Sequence, residues 1–150
     1  MTELLTLDPG GTTGWSWSYF NDDKPLLFAG GGQIEGGLVG VLEFLSRIGY
    51  GYKDAIIVSE SFQLRPGVKS PDVTPLRIEG ALTALFGPDR VVYQQPALKA
   101  SVGDQRLKDN GLWIPGQRHQ MDARIHALAF VKRNKHLPSL RAYWPESEEN

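Results

Sequence analysis

An α/β domain built on a mixed sheet is what this sequence predicts, and three observations predict it. A short apolar run, residues 4–7, stops at the acid Asp8, the turn Pro9-Gly10-Gly11 follows, and residues 15–20 alternate at period two. A segment of helical spacing then precedes Ala55-Ile56-Ile57-Val58-Ser59, a continuous apolar run of the kind covered on both faces. A strand reached through a crossover helix is expected to lie parallel to the first strand.

The elements follow in order. Strand alternation sets Leu4, Thr6 and Asp8 on one side of the first strand and Leu5 and Leu7 on the other, so Asp8 is a polar group ending a buried strand. Such a carboxylate needs a partner, and a divalent cation is one; a plain Asp-Pro-Gly-Gly turn is the simpler alternative. After a turn at 21–25, residues 26–34 form a third antiparallel strand, weakened by Gly30-Gly31-Gly32. Val39, Leu42, Leu45 and Ile48 predict a helix over 37–47 that ends near Gly49. The apolar run 55–59 ends, like the first strand, on an acid, Glu60.

Residues 61–74 hold two prolines and no periodicity, which predicts a loop. Thr74 can cap a helix from Pro75 with Leu76, Ala81, Leu82 and Leu85 as its apolar positions, stopped at Gly87-Pro88. A short strand over 90–93, a helical turn over 96–102 and another over 104–111, closed by Gly111, come next. The strongest helix runs from 117 to about 133, with Met121, Ile125, Leu128 and Ala129 on one stripe. Pro138 and the acidic end mark a tail, about 138–150, expected to fray. There is no internal repeat or linker, and 150 residues fit one domain, 1–150.

Composition narrows the class. Hydrophobic content of 41% with 22% charge is that of a globular protein, and no apolar run reaches the length of a spanning helix. The start Met1-Thr2-Glu3 lacks a basic leader, so a cytoplasmic protein is expected. Without cysteine, any metal must sit on oxygen or imidazole ligands. The net charge of −1 is unevenly spread: 3 basic and 8 acidic side chains in 1–60, 13 and 6 in 61–141, 0 and 3 in the last nine. A basic second half suits a polyanionic partner, and a solvated mixed surface is the alternative.

On the last helix His119, Asp122 and His126 stand at i, i+3 and i+7, within about 60° of each other. If the strands ending in Asp8 and Glu60 are parallel neighbours, they lie about 4.8 Å apart, and their carboxylates emerge at the carboxyl edge where open α/β sheets bind ligands. Asp122 would complete an oxygen-ligand set suited to Mg²⁺ or Mn²⁺. Three acids on three elements beside a basic half suit metal-assisted attack on a phosphodiester, with two ions about 3.5–4 Å apart.

The strand and turn 4–15, the strand ending Val58-Ser59-Glu60 and the helix start His119-Gln120-Met121-Asp122-Ala123 resemble, in this order, the RuvC-like Holliday junction resolvases of the RNase H-like superfamily, with the small phage-encoded members looking similar. The resemblance spans most of 3–133. It implies a mixed five-stranded sheet flanked by helices, a homodimer, and Mg²⁺- or Mn²⁺-dependent paired nicks in branched DNA, in four-way junctions and also flaps and forks, the chemistry of DNA recombination and repair. Asp8, Glu60 and Asp122 fall on the family's catalytic acids, and His119 falls where members carry an acid or a histidine. The segment 93–103 is similar to a family strand followed by a helix start that carries a lysine near the site, which makes Lys99 a phosphate clamp; Lys108 matches a second family lysine. Arg65, Lys69, Arg106 and Arg118 are expected beside Lys99 on the DNA-gripping face, and Phe62 is a candidate for stacking on an unpaired base, with a core phenylalanine as the simpler alternative. Leu76, Ile78, Leu82, Leu85 and Phe86 are expected to form the dimer interface, the alternative being a helix packed deep in the core.

Three rivals remain. The loop 8–14 also looks like the first phosphate loop of actin-like sugar kinases, but one domain cannot supply their two lobes, so no nucleotide cofactor is expected. A nuclease of the same frame that processes structured RNA uses the same acids. A non-catalytic branched-DNA-binding protein would have no need of them.

Overall fold

The computed structural model describes residues 1–48 and 54–149. Strands β1 (Thr2–Asp8), β2 (Thr12–Phe20) and β3 (Leu27–Glu35) form an antiparallel meander, and β4 (Ile56–Glu60) and β5 (Val91–Gln94) extend it in parallel with β1. The result is a mixed five-stranded sheet in the order β3-β2-β1-β4-β5. Helices α1 (Gly37–Ile48) and α2 (Thr74–Phe86) cover one face. The other face carries α4 (Arg118–Arg133), with α3 (Asp104–Asp109) and a 3₁₀ turn, Pro96–Ser101, beside it.

The period-two reading of β1 holds at every position. Leu5 and Leu7 enter the core under α1 and α2, Leu4 enters the core under α4, and Asp8 shares the α4 side. The three leucines are wholly buried, each worth about 1.5–3 kcal/mol relative to exposure. Alternation continues across the parallel strands: Val58 and Val92 face α4, Ile57 and Val91 face the other core. Glu60 and Gln94, paired in register at the ends of β4 and β5, therefore also lie on the α4 side. Leu7 pairs with Ser59, so Asp8 and Glu60 sit level, one residue further on.

Several expectations are corrected by packing. In α1 the buried positions are Val41, Phe44 and Leu45, while Val39 and Leu42 are exposed, because Phe44 turns the helix toward Trp15, ring centroids 4.8 Å apart. The predicted end near Gly49 lies outside the described residues. Thr74 is not a cap: it is the first helical residue, its N–H donates to Asp72 Oδ1 at 2.9 Å, and Val73 stands at the cap position. Ile78 and Leu82 of α2 are fully buried, so only Leu76 and Leu85 of the expected interface residues are exposed, with Phe86 half-buried. β3 survives its three glycines, which pair with Trp15, Ser16 and Trp17.

The segment from 138 onward, expected to fray, forms α5 (Leu137–Tyr143) and a 3₁₀ turn, Pro145–Glu149. Ser139 accepts the Leu26 N–H at 2.8 Å, the Tyr143 hydroxyl donates to the Leu26 carbonyl, and Trp144 is buried against α4. These bonds tie the segment to the turn between β2 and β3, and one buried indole outweighs the local signals of Pro138 and the acidic run. No helix among the described residues is long and apolar enough to cross a membrane.

Candidate active site

Two glycines let α4 reach the sheet. A Cβ on Gly14 would stand 1.8 Å from the His119 carbonyl oxygen, and one on Gly31 would stand 2.4 Å from Nε2 of the Gln120 side chain. With both Cβ atoms absent, the first turn of α4 lies directly on β2 and β3. Gln33 of β3 then supplies a cap from outside the helix, its Oε1 accepting the His119 N–H at 3.1 Å, where Gln117 offers no side-chain cap. His119 Nδ1 is thereby held 3.3 Å from Asp8 Oδ2.

One turn along α4, Asp122 comes within 3.9 Å of Lys99 Nζ, which lies 3.0 Å from Glu60 Oε1. Lys99 arrives from the 3₁₀ turn after β5, opened by Pro96. Asp8, Glu60, Asp122 and Lys99 therefore meet at the carboxyl ends of β1 and β4. Arg118 donates to Asp122 Oδ1 at 2.8 Å and forms a two-pronged pair with Asp104 at 2.8 and 2.9 Å. His126, fully buried two turns along α4, puts Nε2 3.4 Å from Glu60 Oε1.

The electrostatics of the acids are unequal. Burial, reinforced by the Glu60 carboxylate and by Asp122, pushes Asp8 up to about 9. Burial also opposes ionisation of Glu60, but contacts with His126, Asp8 and Lys99 outweigh it and hold Glu60 below the usual carboxylate range. Burial lowers Lys99, and the adjacent Glu60, Asp122 and Asp8 more than restore it, so its pKa is raised. One ammonium thus faces three acids, and the crowding is relieved by a proton on Asp8.

A divalent cation fits this donor set. The oxygens are hard ligands, and the crowding of Asp8, Glu60 and Asp122 around one ammonium, which pushes Asp8 up, marks a deficit of positive charge. Among the described residues, no three acidic or histidine side chains already converge as a closed metal site, and the Lys99 ammonium stands between Glu60 and Asp122.

The remaining cations divide. Arg65 and the half-buried Phe62 line a cleft of about 580 Å³ that adjoins the acids and is bounded by Pro9, Glu60, Gln95 and Lys99. Phe62 belongs to neither core, and its N–H is held by Glu79 of α2. Lys69 is exposed in the same loop. Lys108 and Arg118 both lie over the Trp113 ring, 4.8 and 5.2 Å from its centroid. Arg118 is committed to two carboxylates, and Arg106 turns away to Glu146 and the Trp144 ring. Sequence reading missed Gln33 and Gln94. For Gln94 a signal existed, since it ends a strand on the same alternation as Glu60; for Gln33 none did.

No protein-family profile matches the chain, and no curated protein matches its sequence. Solved structures do match. Thermus thermophilus RuvC aligns with a TM-score of 0.63 at 17% identity over 90% of this chain and 98% of its own. The same protein in complex with Holliday junction substrate aligns at 0.63 and 18% identity, with the same coverage. The fowlpox virus Holliday junction resolvase aligns at 0.58 and 12% identity, over 88% of this chain and 99% of its own. The chain has the RuvC-like, RNase H-like fold.

Proposed function

We propose that the protein is a divalent-cation-dependent endonuclease that cleaves four-way junctions and other branched DNA, as a homodimer making paired nicks. One observation carries this reading: acids from β1, β4 and α4 gather around Lys99 at the carboxyl edge of parallel strands, on a fold shared with Holliday junction resolvases. Likeness in fold alone would not imply chemistry, and the gathered acids supply the chemical ground.

In this reading Asp8, Glu60 and Asp122 would hold Mg²⁺ or Mn²⁺, with two ions expected per site and His119 at the rim. Bound ions would supply the positive charge that polarises the scissile phosphodiester. Hydrolysis attaches the oxygen of water to phosphorus and breaks one P–O ester bond, leaving a phosphate end and a hydroxyl end. Lys99, 3.0 Å from Glu60 and part-exposed, would be free to turn its ammonium to a phosphate oxygen if cations neutralised the acids. His119, its side chain 45% exposed and aligned by Asp8, is placed to accept or return a proton at the solvent edge. Arg118 restrains Asp122, so that the carboxylate keeps one direction. Arg65, Lys69 and Lys108 meet the DNA backbone, and Phe62 stacks on an unpaired base beside the cleft.

Two copies are required because one site makes one nick, whereas a four-way junction is resolved by two, and a two-fold dimer matches a two-fold substrate. Exposed Leu76 and Leu85 of α2, with Val39 and Leu42 of the contacting α1, offer the apolar surface.

The test sets a synthetic four-way junction beside linear duplex and structured RNA, each with Mg²⁺, Mn²⁺ or EDTA. Paired symmetric nicks in the junction, dependent on the metal, are expected. An uncut junction with either metal would overturn the reading, and cleavage of the RNA in its place would favour an RNA-processing nuclease.

A further inference from the structure

Behind Glu60 lies a buried pair to which the proposed chemistry gives no task. Gln94 ends β5 and His126 lies on α4; both are almost completely enclosed, at 1% and 0% exposure. The Gln94 amide nitrogen is 2.9 Å from the His126 backbone carbonyl and 3.0 Å from His126 Nδ1. The first contact fixes the direction of the amide, because a carbonyl oxygen only accepts, and exchanging the amide's oxygen and nitrogen would set two acceptors against each other. The amide nitrogen has a second hydrogen for Nδ1, and Nδ1 can accept it only if it carries no proton. The hydrogen of the neutral ring is then on Nε2.

Nε2 faces Glu60 Oε1 across 3.4 Å. Both atoms are buried, and Nε2 has no hydrogen-bond partner in the present arrangement. A buried N–H and a buried carboxylate oxygen are complementary, and a closure of a few tenths of an ångström joins them. Oε1 is meanwhile held by Lys99 at 3.0 Å, so the same oxygen is presented with two cationic or donor groups, one fixed in the core and one at the surface.

We propose that Gln94 and His126 are positioning residues: Gln94 fixes His126 as an Nε2–H donor, and His126 anchors one oxygen of Glu60 so that the carboxylate presents its other oxygen to the site. This rests on the reading of Glu60 as a cation-holding carboxylate, and it goes beyond it by assigning how that carboxylate is aimed. Polar groups that orient ligand side chains from behind commonly change metal affinity by about 10–100-fold when removed. Such a role explains why α4 carries a histidine where its neighbours Ile125, Ala127 and Leu128 are apolar and equally buried.

The experiment begins on the full-length, metal-free protein labelled with ¹⁵N. Long-range ¹H–¹⁵N spectra read the ring nitrogens of His119, His126 and His136, and His126→Gln identifies the His126 signals by their loss. A neutral His126 with the hydrogen on Nε2 is expected, and a hydrogen on Nδ1 would overturn the proposal. Mn²⁺ titrations followed by calorimetry come second. Gln94→Leu and His126→Leu should weaken Mn²⁺ binding by about tenfold or more. His126→Gln, whose amide N–H can reach toward Glu60, should recover most of it, whereas a purely space-filling role would be served better by the leucine. Folded variants that bind Mn²⁺ as tightly as the wild type would overturn the positioning role. If the wild type has the Nε2–H ring yet binds no Mn²⁺, the metal reading of the site fails while the anchoring of Glu60 stands, tested then by a change in its carboxyl ¹³C shift in Gln94→Leu.

Discussion

Gly14 and His119 touch through their backbones: a Cβ on Gly14 would stand 1.8 Å from the His119 carbonyl oxygen, although 104 residues separate the two in sequence. This contact sets how closely α4 approaches β2, and through it the distance from His119 to Asp8. Gly14→Ala is therefore expected to push the first turn of α4 off the sheet, at a cost of about 1–3 kcal/mol or more. Urea denaturation measures the loss. Junction cleavage should fall further than the loss of folded protein explains, since Gln33 would no longer reach the His119 N–H.

Asp8→Asn should abolish metal-dependent cleavage, by about two orders of magnitude or more, while junction binding persists. Gel mobility shifts and cleavage assays run on one preparation separate the two effects. The variant should also fold well without metal, because it removes a carboxyl that the fold already prefers to keep neutral. Robust cleavage by this variant in Mg²⁺ would remove Asp8 from the site.

The stability of the metal-free protein should depend on pH through Asp8. Its folded value of about 9 stands above the reference value of 3.8, so between these values the native state holds a proton that the unfolded chain has released. Stability from that proton is complete below about pH 4 and is lost as pH rises toward 9. Glu60 has the opposite sign: held below its reference value of 4.5, its contribution is present above that value and is lost in acid. In EDTA the urea midpoint should thus decline from about pH 6 to about pH 9, and Asp8→Asn should flatten the decline. A cation displaces the same proton, so adding Mg²⁺ should release protons, measurable by calorimetry in buffers of different ionisation enthalpy.

Lys99→Ala removes the ammonium between Glu60 and Asp122. Junction affinity should become less sensitive to salt, with the log–log slope reduced by about 0.9 for one lost phosphate contact. Fluorescence anisotropy across a salt series gives the slope, and an unchanged slope would place Lys99 outside the DNA contact.

Charges placed on α2 should act according to burial. Leu76→Glu or Leu85→Glu, both at exposed positions, should give a folded monomer that nicks without pairing its cuts. Leu82→Glu should unfold the protein, since a carboxylate there would be buried without a partner. Sedimentation velocity with circular dichroism distinguishes these outcomes, and a wild-type monomer with and without junction DNA would end the dimer proposal.

The sequence by itself determined the five strands, the helices up to residue 133 and which side of each strand is which. Alternation in residues 4–8 put Asp8 on the side away from Leu5 and Leu7, and the same count placed Glu60 at the end of a strand buried on both faces. Helical spacing brought His119, Asp122 and His126 to one strip of α4. These are local regularities, set by the periods of backbone geometry, and can be read without knowing any neighbour. Tertiary structure alone decided what stands opposite each side chain. Val39 and Leu42 fit the helical period as well as Leu45 does, yet remain exposed because the sheet lies on the Phe44 side. Trp144 buries a segment that local signals release to solvent. Asp122 meets Lys99, Gln33 caps α4, and Gln94 turns the His126 ring because sheet order and register bring remote residues to one edge. Pairings between polar groups leave no period in the chain, since each depends on two segments whose separation in sequence carries no information about their distance in space.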